Sequence, residues 1–177
     1  MTFEAHQTAV IVPVPGAETA VRTWRERLDP ATQVGVPAHV TVLYPFLPAP
    51  QVGPDVVTDL RLLVSREPAF RVAFASFGRF PEVLYLAPEP AGPFRRLITA
   101  VVRRWPEAPP YGGAHPGDPI PHLTVSHRAS PEQEAAAQRD LAAHLPITAT
   151  IDQAWLIRFD GVRWTRWETL PFGAPAS

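Results

Sequence analysis

Two copies of one four-residue pattern decide the fold of this chain: His39-Val40-Thr41-Val42 and His122-Leu123-Thr124-Val125. Each copy reads His, apolar, Thr, apolar, and each follows a proline-containing segment. Side chains alternate between the two faces of a β-strand, so the His and the Thr of each copy share a face and the apolar residues share the other. The pattern therefore predicts two strands, each with an apolar face toward a core and a His/Thr pair on the opposite face.

The elements around the two motifs repeat as well, because each half of the chain reads strand, helix, loop, motif strand, helix, strand. Ser130 and Gln133 predict a capping box at the start of the last helix, and Asp160-Gly161 predicts a tight turn in a closing hairpin. The predicted strands are 8–14, 39–46, 70–80, 83–87, 122–127, 147–159 and 162–170. The predicted helices are 17–28, 54–66, 93–105 and 131–145. Residues 173–177 are predicted to be a loose tail.

This alternation predicts an α+β fold with two pseudo-symmetric α/β lobes that flank a central cleft. The length of 177 residues suits a single bilobal domain over 1–177, with repeat units of approximately 8–80 and 83–170. Each lobe is expected to give one His-x-Thr strand to the cleft.

Composition excludes several classes of chemistry. The chain has no Cys, so it has no disulfide, thiol nucleophile or thiolate metal site, and its 16 basic residues are all Arg, which excludes a Schiff-base or P-loop lysine. The net charge of −1 argues against a general nucleic-acid coat protein. With no apolar run of membrane-spanning length and no leader-like start, we expect a cytoplasmic monomer that does not bind a membrane.

The duplicated motif resembles the 2H phosphoesterase superfamily, which includes 2′-5′ RNA ligase-like and cyclic phosphodiesterase proteins. The resemblance covers most of the chain, because the elements flanking His39-Val40-Thr41-Val42 and His122-Leu123-Thr124-Val125 repeat together with the motifs. It implies that the two motif strands lie on the floor of the cleft between the lobes. It also implies a small nucleotide or an RNA end as the partner of that cleft.

The resemblance implies hydrolysis of a 2′,3′-cyclic or 2′-5′ phosphodiester, without a metal or other cofactor. His39 and His122 would serve as general base and general acid, because an imidazole with an ordinary pKa near 6.5 exchanges a proton around neutral pH. Thr41 and Thr124 would donate hydrogen bonds to the non-bridging phosphate oxygens. The sequence leaves open which histidine is the base, and whether the reaction runs in reverse as a ligation.

Three further residues are candidates for substrate contact. Arg128 lies six residues after His122, so a regular strand would place it on the face of His122 as a phosphate ligand, whereas His127 would face away. Tyr111 precedes two glycines in the long loop 106–121 and is positioned to cover a substrate base. Tyr44 should face away from His39 and pack in the core, unless the strand ends early and frees the ring to stack on a base.

Two other functions compete with this interpretation. A metal hydrolase is suggested by the proximity in sequence of His115, Asp118, His122 and His127, although His122 and His127 should point to opposite faces and no metalloprotease-type helix supports them. The other alternative is a nucleotide- or RNA-end-binding domain of the same fold with little or no turnover. Trp155, Trp164 and Trp167 of the C-terminal hairpin are predicted to serve in packing.

Overall fold

The computed structural model describes residues 3–114 and 120–175. Within these residues the chain forms eight strands, five α-helices and two short 3₁₀ helices. In chain order the elements are β1 (Thr8–Pro13), α1 (Pro15–Leu28), α2 (Pro30–Gln33), β2 (His39–Leu43), a 3₁₀ helix (Ala49–Gln51), α3 (Pro54–Ser65), β3 (Phe70–Phe80), β4 (Val83–Glu89), α4 (Gly92–Arg104), a 3₁₀ helix (Pro110–Gly113), β5 (Leu123–His127), α5 (Pro131–Ala142), β6 (Ile147–Ile151), β7 (Gln153–Phe159) and β8 (Trp164–Pro171).

All of the strands form one curled antiparallel sheet in the order β6-β3-β4-β5-β2-β1-β7-β8. The two motif strands, β5 and β2, are neighbours at its centre, which confirms the predicted fold class. The lobes on either side of this centre mix the two sequence repeats. The last strand of the first repeat, β3, lies beside β4, and the closing strands β7 and β8 lie beside β1.

The helices lie over the sheet, and the main core fills the space between. Helix α1 packs on β5 and β6, α4 packs on β2, and α3 packs on β8 and α4. The most regular apolar stripe belongs to α4, whose Phe94, Leu97, Ile98 and Val101 are buried as the helical spacing predicts. The opposite face of the sheet carries the His/Thr pairs. In the described part of the chain, no helix combines the length and apolar character needed to cross a bilayer.

The predicted strand over 147–159 is two strands at different places in the sheet. Asp152 separates β6, which pairs with β3 at one edge, from β7, which pairs with β1 and β8 near the other edge. An interruption of a single residue leaves the hydrophobic alternation almost intact. The prediction of one continuous strand was therefore wrong. The break at Asp152 is visible only from the different pairing partners of β6 and β7.

The chain after β8 bridges the two edges of the sheet. The N–H of Phe172 donates to the carbonyl of Asp152 at 2.9 Å, and Gly173 forms a parallel bridge with Pro68. Gly173 also donates to Glu67 at 2.8 Å and accepts from Ala69 at 2.9 Å. The prediction of a loose tail beginning at residue 173 was wrong at its start, because these bonds hold Gly173 in place.

Two local predictions had different outcomes. The capping box is confirmed, with the Ser130 side chain accepting from the N–H of Gln133 and the Gln133 side chain accepting from the N–H of Ser130. The hairpin turn is longer than the predicted Asp160-Gly161 pair. The Asp160 carboxylate accepts from the N–H groups of Val162 and Arg163, both at 2.8 Å, so β8 begins at Trp164 instead of residue 162.

Candidate active site

The pairing of β2 with β5 brings the two motifs together. Val40 lies opposite Leu123, so in this antiparallel register His39 lies across from Thr124 and Thr41 lies across from His122. The apolar partners Val40 and Leu123 are fully buried below. Diagonal neighbours in such a pair are about 7–8 Å apart at the backbone, so the two histidines can flank a phosphate-sized group. The four motif residues line one cleft with a volume of about 600 Å³.

Both imidazoles are oriented by the same local hydrogen bond. Nδ1 of His39 lies 2.7 Å from the carbonyl oxygen of Pro37, and Nδ1 of His122 lies 2.8 Å from that of Ile120. A carbonyl only accepts, so each Nδ1 is the protonated nitrogen of the neutral ring. The bond leaves Nε2 as the nitrogen available to a ligand, and it positions the two rings in equivalent ways.

The surroundings favour the neutral form of both rings, but unequally. Burial, with a further contribution from the nearby Arg25 guanidinium, lowers the pKa of His39 from 6.5 to about 4. Burial also lowers the pKa of His122 below 6.5, whereas its bond to the Ile120 carbonyl acts in the opposite direction. His39 is thus the histidine with the additional charge-based reason to stay unprotonated.

A buried ion pair lies behind His39. Nε and Nη2 of Arg25 donate to one carboxylate oxygen of Asp29 at 3.0 and 2.7 Å, and the other oxygen accepts from the N–H of Ala31 at 3.1 Å. Nη2 of Arg25 also reaches the carbonyl of Val36 at 3.4 Å. The pair therefore links the end of α1 to the segment that leads into His39.

Two aromatic rings support His122 from the side of β3 and β4. Phe80 and Tyr85 are stacked with their centroids 4.4 Å apart, and they lie 5.0 and 5.3 Å from the His122 ring. Gly78 lies opposite Tyr85 in the sheet. A Cβ at Gly78 would come within 2.2–2.4 Å of the Tyr85 ring, so the absence of a side chain there makes room for this aromatic wall.

The opposite wall is a second apolar cluster, which includes Phe3, Tyr44 and Trp164. The Trp164 ring packs edge-on against Phe3 and Tyr44, with centroid distances of 5.5 and 6.1 Å. All three of these residues line the cleft. Trp164 is buried, as the packing prediction required, but its packing forms a wall of the candidate site.

Tyr44 lies on the cleft side, so the regular strand that would have turned it into the core does not continue, and β2 ends at Leu43. Leu43 pairs with Val10 and Thr41 pairs with Ile11, which leaves Val42 as an extra residue, a β-bulge, in β2. A bulge shifts the alternation of faces by one residue. Leu43 consequently enters the core, and Tyr44 turns to the cleft just beyond the end of the strand.

The second motif repeats this irregularity at the equivalent residue. Ser126 pairs with Leu84 and Thr124 pairs with Tyr85, so Val125 is the extra residue of β5. His127 therefore lines the cleft, contrary to the prediction that it faces away.

Arg128 was expected on the face of His122. Its exposed side chain instead donates to Glu82 at 3.0 Å, and it is not among the residues that line the cleft.

Tyr111 reaches the site from the long loop. Its N–H donates to the carbonyl of Tyr44 at 2.6 Å, and its side chain is hydrogen-bonded to that of Thr41. Burial raises the pKa of the phenol, and the bond with Thr41 acts in the opposite direction. The structure thus brings Tyr111 together with a motif threonine on the cleft wall.

Two of the four residues suggested as metal ligands line the cleft. His115 and Asp118 lie outside the described residues. His122 and His127 both line the cleft, although the sequence predicted opposite faces. Among the residues that the structure describes, no three His, Asp or Glu side chains are grouped closely enough to hold a metal ion.

Several residues of the site were not found from the sequence. They come from three distant parts of the chain and belong to no motif: Phe3, the neighbouring Phe80 and Tyr85, and Trp164. Gly78 was the one available signal, because a glycine inside a long strand often marks a close approach by another group. The identity of that group, Tyr85, depends on the β3–β4 register.

A curled antiparallel sheet whose two central strands each present a His-x-Thr pair to one cleft defines the class of 2H phosphoesterases. The chain belongs to the 2′-5′ RNA ligase superfamily, whose family model matches residues 12–163. No curated protein sequence matches the chain.

Solved structures share the fold. The E. coli LigT complexed with 3′-AMP has a TM-score of 0.61 at 17% sequence identity, with 96% of this chain and 99% of that chain covered. TT0787 of Thermus thermophilus has a TM-score of 0.59 at 18% identity, with 96% and 100% covered. E. coli LigT has also been solved in complex with ATP, at 17% identity and a TM-score of 0.58, with 96% of this chain and 99% of that chain covered. At this level of identity the likeness establishes the fold alone.

Proposed function

We propose that the protein is a phosphoesterase that cleaves a 2′,3′-cyclic or 2′-5′ phosphodiester of a small nucleotide or RNA end by two-histidine acid–base catalysis. The observation that carries the proposal is the matched pair of imidazoles. His39 and His122 line one cleft, and each is bonded through Nδ1 to the carbonyl two residues before it. The 3′-AMP in the LigT complex supports a nucleotide ligand by analogy of fold.

His39 is proposed as the general base. Its pKa is lowered to about 4, so Nε2 is unprotonated at neutral pH and can take a proton from water. The resulting hydroxide attacks phosphorus, and the bond from phosphorus to a ribose oxygen breaks. His122 in its protonated form gives its Nε2 proton to that oxygen, so the products are a ribose hydroxyl and a phosphate monoester. The anionic phosphate itself favours protonation of the nearby His122.

Thr41 and Thr124 are proposed to bind the non-bridging oxygens. Each threonine lies across from the histidine of the other strand, so each hydroxyl is beside the group that transfers a proton. Tyr111 is bonded to Thr41 and would orient its hydroxyl. Donors placed in advance where negative charge grows are among the larger contributions to catalysis.

The test is hydrolysis of the four nucleoside 2′,3′-cyclic phosphates by purified protein in the presence of EDTA. His39→Ala and His122→Ala should each lower kcat by about 10²–10⁴-fold, the usual contribution of one acid or base. His144→Ala is the matched control, because His144 is exposed just beyond α5 and should leave activity unchanged.

Measurements of binding and of turnover distinguish the proposed function from the two competing functions. Wild-type protein that binds cyclic nucleotides without turning them over would favour the nucleotide-binding alternative. Turnover that disappears only when EDTA is added would favour the metal-dependent alternative. Equal activity in the wild type and both histidine variants would contradict the proposal.

A further inference from the structure

The cleft contains few groups that can carry positive charge. The chain has no Lys, and no Arg lines the cleft among the described residues. The residues outside the description, 1–2, 115–119 and 176–177, include no Arg or Lys either. Among the described residues, the basic groups that line the cleft are therefore the imidazoles of His39, His122 and His127.

Two arginines are bound to carboxylates that line the cleft. Arg25 is buried against Asp29, and Arg128 is paired on the surface with Glu82. Asp29 and Glu82 themselves line the cleft whereas their arginine partners do not, and the charge of the buried Asp29 is offset by Arg25, so neither pair supplies a cation to a second phosphate. The pKa values of His39 and His122 are both lowered, so these imidazoles in their neutral form add no positive charge for a second phosphate.

The remaining walls suit a neutral, planar group. Ile11, Tyr44, Ile157 and Trp164 line one side, and Phe80 lines the other. The volume of about 600 Å³ is within the range of small-molecule sites. A nucleobase can stack on such a surface, whereas a second phosphate there would lose its water without gaining a cationic partner.

We propose, building on the proposed function, that the cleft selects substrates with a single phosphate charge, the nucleoside 2′,3′-cyclic monophosphates, and discriminates against substrates that carry a further phosphate. The selectivity comes from the apolar walls, from the exposed Glu82 carboxylate and from the absence of arginine among the described residues that line the cleft. This specificity differs from what the ATP complex of the E. coli LigT would suggest for the fold.

The test compares kcat/KM for adenosine 2′,3′-cyclic phosphate with kcat/KM for the same compound bearing a 5′-phosphate. The monophosphate should be preferred by about tenfold or more, and the preference should shrink at about 0.5 M salt because ionic screening weakens charge repulsion. A ratio near one in the wild type would overturn this inference alone. Absence of turnover of either compound would overturn the proposed function and this inference with it.

Adding a positive charge provides a second test. Ile120 is 51% exposed on the cleft wall beside His122, so Ile120→Arg can be accommodated without disturbing the core. This variant should turn over the 5′-phosphorylated substrate about tenfold better relative to the monophosphate. Leu62→Arg is the matched control, because Leu62 is 53% exposed on α3 and is not part of the cleft lining.

The two tests together distinguish charge from shape. A preference for the monophosphate that is insensitive both to salt and to Ile120→Arg would show that the 5′-phosphate is excluded sterically, and the charge argument would be overturned. A preference that changes equally in Ile120→Arg and Leu62→Arg would also contradict it, because long-range charge would then be responsible.

Discussion

At the scale of single residues, the two histidines have the same orientation but different electrostatic surroundings. Each Nδ1 is bonded to the carbonyl two residues earlier, and only His39 has the buried Arg25–Asp29 pair behind it. A positive guanidinium close to an imidazole disfavours its protonation, and the Asp29 carboxylate offsets this only in part. The asymmetry gives a physical reason for assigning the base to His39 and the acid to His122.

This assignment predicts an activity profile on the acidic side of neutrality. In the free enzyme the protonated fraction of His122 falls as pH rises through a pKa below 6.5, so the alkaline limb of kcat/KM should lie below pH 6.5. The acidic limb should follow His39 near pH 4, where the base becomes protonated. The measurement is kcat/KM for a cyclic nucleotide across the range from about pH 3.5 to about pH 9, with circular dichroism at each pH to confirm that the protein remains folded. An alkaline limb above about pH 7 would contradict the assignment.

At the scale of elements, the strand geometry around the site depends on two bulges at equivalent positions. Val42 and Val125 are the last residues of the two motifs, and each is the extra residue of its strand. Each bulge turns the residue five positions after the motif histidine toward the cleft, namely Tyr44 and His127. The two lobes thus contribute corresponding side chains to the site, as a duplicated structure would.

A second feature at this scale is the fit of Gly78 on β3 against Tyr85 on β4. Gly78→Ala should displace the Tyr85 ring, which packs on Phe80 and His122, because the added Cβ would lie 2.2–2.4 Å from two ring carbons and the hydroxyl oxygen of Tyr85. We expect a loss of about 1–3 kcal/mol in the free energy of unfolding and about a tenfold loss of kcat/KM. Urea denaturation and steady-state kinetics measure the two effects.

The control for this prediction is Gly53→Ala. Gly53 precedes α3 with an ordinary φ of −87°, and an added Cβ there meets no atom within 4 Å. Wild-type activity in Gly78→Ala at a temperature well below unfolding would mean that the Tyr85 wall does not position His122.

At the scale of the whole molecule, the curled sheet is closed by a short segment after its last strand. Phe172 bonds to Asp152 between β6 and β7, and its ring packs near Phe70 at a centroid distance of 5.9 Å. Gly173 then joins Pro68 ahead of β3. These contacts connect the two edges of the sheet, and so they add to the contact that the lobes make through β2, β5 and the shared core.

Removing the Phe172 ring should therefore destabilise both lobes together. Phe172 is 8% exposed, and truncation of a buried Phe to Ala typically costs about 3–5 kcal/mol, so we expect about 3 kcal/mol for Phe172→Ala in urea denaturation. Val162→Ala is the control, because Val162 is 77% exposed and its truncation should change stability by less than about 0.5 kcal/mol. Hydrogen exchange that increases in only one lobe would contradict the role of Phe172 as a connection between them.

Most of the elements, and the two His-x-Thr pairs proposed as the chemical centre, could be predicted from the sequence alone. The period of two in His39-Val40-Thr41-Val42 and its second copy identified two strands with a polar and an apolar face, and helical spacing identified α4. These patterns are local, because burial of one face imposes them directly on neighbouring residues. The motifs also indicated the family, which the match over residues 12–163 confirms.

Only the tertiary structure decided which strands are neighbours and which side chains complete the site. The bulges at Val42 and Val125 are defined by the register against β1 and β4, and so the facing of Tyr44 and His127 could not be predicted from alternation. Trp164 and Phe80 reach the cleft because β7 pairs with β1 and β4 pairs with β5, strands that are far apart in sequence. Register depends on long-range contacts between strands. The sequence of one strand does not specify which strand it pairs with or in which register.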